Sequence, residues 1–405
     1  MTTLAWTPDP GPIDEHALLA RTDAMTFDGW LPFDGRSVAM LGALSRTILA
    51  DPRARNNPPY VALGYWLRPA ALKRLVASFG PDQAGIFRVS RGVALHLPPT
   101  NVDTIFVYSW AVSVLAGNCN VVRLAQESDD DTRWLCGVIA KVVADHGQAG
   151  RHLFCTYAYG GDFEAALCAK MDLRMIWGGD AKVRAAGAVP IRPDGLSIGF
   201  PDRDSFAIIA AEAYAGAGDE ERNRLAEGFF ADVYWFDQMG CGSPRILFWV
   251  GDASNVSNDF YRRLLVVIDA RQLRATMSVA IAKLGRGMDA LASGDATQLR
   301  HWSNELDVVE LSRPVRSDTT GQGGGFLGQV TLHSADEIVP YVSRKTQTIA
   351  HYGLRPNELR ELAKAIATRG GYRLVPIGDA LKFSPDWDGV RLVDHMTRVI
   401  TIGGA

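Results

Sequence analysis

Long hydrophobic runs are missing from this 405-residue chain. The most apolar segment, TIFVYSWAVSVLAG from Thr104 to Gly117, falls short of the ~20 residues that cross a bilayer and reads as a buried helix. The N-terminal MTTLAWTPDPGPIDEH has no basic region followed by an apolar stretch, so neither a signal peptide nor a transmembrane segment is expected. Cysteine is scarce and odd in number: Cys119, Cys136, Cys155, Cys168 and Cys241, with no C-x-x-C pair. That fits a reducing, cytoplasmic compartment better than a disulfide framework. The eight histidines show no H-x-x-x-H and no Cys/His ligand spacing, so no catalytic metal is expected. There is no G-x-S-x-G, which leaves a serine hydrolase without support. No G-K-[ST] follows GQGGG (Gly321 to Gly325), which disfavours a nucleotide P-loop and leaves that stretch as a loop or hinge. Neither sign of charge dominates, with 42 Lys and Arg against 45 Asp and Glu and no basic block, so nucleic acid is not an expected partner.

What is present is an ordinary globular composition, 47% apolar, in a chain long enough for two or three domains at ~150 residues each. The first ~55 residues are rich in Pro, Asp, Gly and Arg (PDPGP, DPRARNNPP) and read as an arm lying on a neighbouring surface. From Gly92 the rhythm changes. A strand VALHL, a Pro-Pro turn and a buried helix lead to a strand NVVRL at Asn120 to Leu124. Ser128 and the three aspartates after it are candidate N-caps for a helix carrying Trp134, Leu135, Val138, Ile139, Val142 and Val143. HLFCTY, a helix from Asp162 and LRMIW complete a series that predicts a parallel sheet with covered faces. A second series begins near residue 205: GDEERNRLAEGFFADVYWFDQMG, then CGSPR, the strand ILFWV, helices around Asn258 to Arg274 and Met277 to Leu291, and QVTLH from Gln329. The expected organisation is an arm over residues 1–55, a Rossmann-like domain over 56–205, a nucleophile-bearing domain over 206–375 and a closing segment over 376–405.

Cys241 is the first candidate for chemistry. It sits in FDQMGCGSPR between the end of an apolar helix and a buried strand, with Gly240 and Gly242 leaving its sulfur reachable. A thiolate there can attack a carbonyl, and backbone N–H groups at such a junction can bind the oxyanion. The alternative, a small core hydrophobe, stays open for Cys241 and fits Cys136, Cys155 and Cys168 well. Asn101 in PPTNVD is either an amide donor to an oxyanion or a helix cap. Trp177-Gly178-Gly179-Asp180 follows a strand and precedes a helix, where open α/β sheets bind ligands, but a tight turn explains it equally. His96 reads as a structural strand residue. Phe229, Phe230, Tyr234, Trp235 and Phe236 line either an acyl tunnel or a core, and their helical spacing suits the core.

Taken in order, RGVALHLPPTNVDT, LAGNCNVVRLA, IWGGDAKV, FDQMGCGSP, RKTQTIAHYGL and YRLVPIGDALKFSPDWDG resemble the aldehyde dehydrogenase superfamily, and within it the LuxC-like acyl-CoA reductases. The match runs from about Arg91 to the C-terminus. The resemblance implies an α/β fold of two lobes, Rossmann-like and catalytic, whose cleft holds the reaction. It implies that Cys241 accepts the acyl group and that Asn101 serves the oxyanion hole. Pro99, Thr100, Arg123, Gly178, Gly179 and Asp180 are placed at a nicotinamide cofactor. Arg123 stands where relatives often have a lysine at the adenosine ribose, which favours NADPH, with NADH as the alternative. Asp180 departs from the usual serine. Oxidising members activate water with a glutamate in E-L-G-G; here the region reads PDGLSIGF (Pro193 to Phe200), without one, and Asp194 reads as part of a surface turn. An acyl-cysteine then survives until hydride arrives, and the implied reaction is reduction of an acyl-CoA or acyl-carrier-protein thioester to an aldehyde. A cofactor-independent cysteine acyltransferase or thioesterase, and a non-catalytic subunit that keeps the fold, are the alternatives. Arg123 and the WGGD turn weigh against the first, Cys241 and Asn101 against the second. By the same resemblance the protein is expected to be a homo-oligomer.

Overall fold

The structure, a computed structural model, describes residues 4–5, 11–27, 29–55, 57–79, 85–99, 104–125, 129–312 and 323–403. The chain forms two compact α/β units: Met1–Pro201 together with Phe383–Ala405, and Asp202–Lys382.

In the first unit four five-residue strands, Val93–Leu97, Cys119–Arg123, His152–Thr156 and Leu173–Trp177, are buried on both faces. This is what near-continuous apolar runs produce when helices cover a parallel sheet. Leu196–Phe200 adds a fifth parallel strand. Numbered along the chain from Val93–Leu97, these strands lie in the order 3-2-1-4-5, and Leu4–Ala5 and Gly11–Pro12 extend the sheet antiparallel beyond His152–Thr156. The strand order reverses between Val93–Leu97 and Leu173–Trp177, so the crevice beyond their carboxyl ends is the topological switch point where doubly wound sheets take ligands. TIFVYSWAVSVLAG forms the helix Ile105–Leu115, and every one of those residues is buried. His96 is a strand residue, its ring tied to Ser109 Oγ at 2.7 Å and Asn120 Oδ1 at 2.9 Å. Burial pushes its pKa down to about 4, so the imidazole is neutral and structural.

The N-terminal stretch is more than an arm. Within it the helix Gly35–Ala50, capped by Asp34, buries Met40, Leu41, Leu44 and Ile48 completely in the same core as Trp110 and Leu135. The Pro- and Arg-rich pieces around it hid an amphipathic helix. The last residues return to the same unit: Phe383 stacks on Tyr108 with centroids 5.1 Å apart, and Thr397–Thr401 pairs antiparallel with Ile86–Ser90.

The second unit carries a sheet in the order Ala296–Ser303, Leu306–Leu311, Phe326–Leu332, Pro244–Val250, Asp204–Ala210, Thr346–Tyr352, Arg373–Pro376. All neighbours are parallel except the first pair. The helices Asp219–Tyr234 and Ser257–Ala270 share a core with this sheet. Phe229 meets Phe260 edge-on at 5.2 Å and Phe230 stacks on Tyr234 at 5.1 Å, so these aromatics are core packing. Among the described residues no helix is long and apolar enough to cross a membrane.

Candidate active site

Cys241 is the exposed cysteine; Cys119, Cys136, Cys155 and Cys168 are buried. Burial pushes the Cys119 thiol up to about 11 and those of Cys136 and Cys155 to about 12, and it raises Cys168 too, so these sulfurs stay protonated and inert. Cys241 lies in the second unit, on the turn between Asp219–Tyr234 and Pro244–Val250. The turn reverses through two non-glycine residues with positive φ, Asp237 at 50° and Gln238 at 61°. Such backbone costs free energy and persists where the surroundings enforce it. The enforcing group is the buried Gln238 amide. Its nitrogen donates to the carbonyls of Pro244 at 2.9 Å and Phe326 at 3.1 Å, and its oxygen accepts from Gly325 N at 3.2 Å. Gly323, Gly324 and Gly325 all have positive φ, and a Cβ at Gly323 would collide with the Asp237 carbonyl. The described part of GQGGG is therefore a close-packed brace for this turn, while Gly321 and Gln322 lie outside the described residues.

The Cys241 peptide is tied as well. Ser205 Oγ donates to the Cys241 carbonyl at 2.7 Å and accepts from Thr348 N at 3.1 Å, linking the turn to two adjacent strands. That bond holds the Cys241–Gly242 peptide, directly on the carbonyl side of the nucleophile. On the other side the glycines admit close contact: a Cβ at Gly242 would lie 2.5 Å from Ala380 O, and one at Gly240 would lie 3.0 Å from Leu381 Cδ2.

The first unit gathers a cationic cluster at its switch point. Arg123 ends the strand Cys119–Arg123, nearly buried, with Nε and Nη2 donating to Tyr157 O at 3.2 and 2.8 Å. Its guanidinium lies 3.4 Å from the centroid of the Tyr159 ring. Lys182, on the first turn of the helix Asp180–Ala188, lies 5.7 Å from the same ring and donates through Nζ to Pro98 O at 2.5 Å. Burial, with the Arg123 charge beside it, lowers the Lys182 ammonium to about 8. Among the described residues neither cation forms an ion pair with a carboxylate. Gly178 has φ 149°, and a Cβ there would sit 2.7 Å from Lys182 Cδ; Gly179 is the N-cap of the helix and offers no side-chain cap. A helix N-terminus without a side-chain cap, and two cations with no carboxylate partner among the described residues, suit a phosphate-bearing ligand.

Of the residues singled out in the sequence, the structure thus brings Pro99, Arg123, Gly178, Gly179 and Asp180 to the carboxyl edge of one sheet. Cys241 belongs to the other unit. Thr100 and Asn101 lie outside the described residues. Asp194 precedes the amino end of Leu196–Phe200, the opposite edge, and is held by Arg192 at 3.2 Å and Arg398 at 3.3 Å; a hydrogen bond from its own backbone N–H, with these arginines, lowers its carboxyl below the usual range. Sequence reasoning missed Lys182, Tyr159, Ser205 and Gln238. Only Lys182 carried a local signal, a cation in the first turn after a switch-point strand.

The model of the family described as acyl-CoA reductase (LuxC) matches residues 74–280, just over half of the chain. This chain belongs to that family, and with it to the oxidoreductases of the acyl/aldehyde reductase type. The fold is that of the aldehyde dehydrogenase superfamily. Similar solved structures include the NAD-dependent aldehyde dehydrogenase of Sinorhizobium meliloti, 14% identical, covering 97% of this chain and 88% of that one at a TM-score of 0.66. Aldehyde dehydrogenase 21 of Physcomitrella patens, solved with the product succinate, is 11% identical and covers 100% and 96% at 0.68. The glyceraldehyde-3-phosphate dehydrogenase of Methanocaldococcus jannaschii, complexed with NADP, is 11% identical and covers 96% and 94% at 0.65. At these identities the likeness is one of fold. No curated protein matches the sequence.

Proposed function

We propose that this protein reduces an acyl thioester, carried on CoA or a carrier protein, to an aldehyde, with NADPH as reductant and Cys241 as acyl acceptor. The observation that carries the reading is the exposed Cys241 on a turn whose strained backbone and carbonyl are both anchored. The Cys241 thiolate attacks the thioester carbonyl, and the Cys241 N–H and the Asn101 amide hold the oxyanion. Collapse breaks the bond to the carrier thiol and leaves the acyl group on Cys241. PDGLSIGF places no glutamate near this chemistry and Asp194 is engaged by arginines, which supports a thioester that outlives attack by water. Bound NADPH would supply the hydride that takes the acyl carbon to the aldehyde level. The Cys241 sulfur then departs as thiolate, ready for another cycle. Arg123, Lys182, the Gly178-Gly179 turn and the Tyr159 ring would hold the dinucleotide, and Arg123 favours a 2′-phosphate. Mixing the protein with acyl-CoA and NADPH tests the reading: nicotinamide absorbance falls and aldehyde forms. Thiol release without NADPH consumption would replace it with the acyltransferase or thioesterase, and neither change across a broad acyl panel would replace it with the non-catalytic subunit.

The cofactor side has its own test. A lysine depressed to about 8 is cationic below that pH and neutral above it, so phosphate affinity is full at pH 7 and falls as pH rises through 8. Fluorescence titration should find NADPH binding weakened at pH 9. Lys182→Met should lose roughly tenfold at pH 7, the scale of one charge-assisted hydrogen bond, and flatten the pH dependence. Equal affinity of wild type at pH 7 and 9 would remove Lys182 from the phosphate site.

A further inference from the structure

The segment at 377–382 is strung between two charged side chains that the chemistry above leaves unused. Asp232, buried on the helix Asp219–Tyr234, accepts from Gly378 N at 2.7 Å through Oδ2 and from Ala380 N at 2.9 Å through Oδ1. Arg373 takes the carbonyls of the same segment, donating through Nη1 to Ala380 O at 3.0 Å and through Nη2 to Asp379 O and Lys382 O, both at 3.3 Å. One side chain therefore takes two of the segment's N–H groups and the other three of its C=O groups. Gly228 and Gly378 let the segment lie directly on the helix; a Cβ at Gly228 would sit 3.2 Å from Gly378 Cα. Its outer side presses on the glycines that flank the nucleophile, Ala380 O against Gly242 and Leu381 Cδ2 against Gly240. Helix, segment and nucleophile turn are thus stacked without slack.

We infer that Asp232 and Arg373 are positioning residues for Cys241, clamping the 377–382 segment so that the Cys241 N–H keeps the direction that an oxyanion requires. The inference rests on Cys241 being the acyl acceptor. A carboxylate is the side chain that offers two acceptor oxygens to two N–H groups at once, whereas an amide offers one. Burial pushes the Asp232 carboxyl up to about 7, with the Asp379 carboxylate adding to the rise and the two N–H groups and Arg373 opposing it. Burying this acid costs free energy, which the two backbone N–H bonds and Arg373 offset in part.

The test compares two modifications of Cys241 followed by intact mass: acetylation by p-nitrophenyl acetate, which needs an oxyanion site but no CoA or NADPH recognition, and alkylation by iodoacetamide, which needs only a reachable sulfur. Asp232→Asn, which must break one of the two bonds, and Arg373→Gln, which works from the opposite side of the segment, should each slow acetylation at least tenfold. Both should leave alkylation and NADPH affinity within twofold of wild type, with a single cysteine modified. Arg373→Lys, which keeps the charge and one donor, should fall between wild type and Arg373→Gln. Wild-type acetylation rates in the two variants would overturn the inference. So would loss of acetylation and alkylation together, or modification of several cysteines, because either would mean general loosening. If Asp232→Asn does not fold, Arg373→Gln decides. A wild-type protein that alkylates at Cys241 but is never acetylated would instead sink the acyl-acceptor reading, and this inference with it.

Discussion

Cys241→Ala is expected to abolish both the acyl-protein adduct and aldehyde formation, with turnover down by at least ~1,000-fold, the scale seen when a covalent nucleophile is deleted. Four thiols remain in that variant, but all are buried, and burial raises each of their pKa values. None can stand in. Binding of NADPH should be unchanged, because Arg123 and Lys182 belong to the first unit and Cys241 to the second. Intact mass after incubation with acyl-CoA, beside a dinucleotide titration, reads both quantities. An acyl adduct persisting in Cys241→Ala would move the chemistry to another residue.

Gln238→Ala should be the most destabilising single change at this turn. It leaves the Pro244 and Phe326 carbonyls and the Gly325 N–H without their side-chain partner in a buried place, at about 1 to 3 kcal/mol for each unsatisfied group. It also releases two residues from positive φ, which returns part of the strain and brings the net loss to roughly 3 kcal/mol. Calorimetry should show one transition moving down by about 5 to 15 °C, and aldehyde formation should fall by two orders of magnitude or more as the turn relaxes. Gln238→Glu keeps an acceptor for Gly325 and loses both donors, so it should be as damaging. An unshifted transition in Gln238→Ala would mean that the turn holds itself.

Four strands of the first unit were legible because burial on both faces leaves a plain signature: VALHL, CNVVR, HLFCT and LRMIW are short apolar runs bounded by turn residues. Ile105–Leu115 was legible for the same reason. Gly35–Ala50 was not, since its apolar face is diluted by Gly, Arg and Ser and flanked by Pro-rich pieces. Cys241 stood out through its two glycine neighbours. Its supports did not, because each acts across a long stretch of chain: Ser205 lies 36 residues before it, and Gln238 reaches Phe326 across 88. Spacing of that kind is written in the tertiary fold, and local pattern carries no trace of it.

The first unit is interrupted: its chain leaves at Pro201 and resumes at Phe383. The returning strand Thr397–Thr401 supplies the hydrogen-bond partner of Ile86–Ser90, and Arg91 donates to His395 O at 2.8 Å. During synthesis, once residue 382 has emerged from the ribosome the inserted unit has all of its chain, while the earlier half still lacks Phe383 and its last strand. The part translated first is therefore the part finished last, and a stop just before Thr397 would leave Ile86–Ser90 without its strand partner while sparing the unit that bears the sulfur.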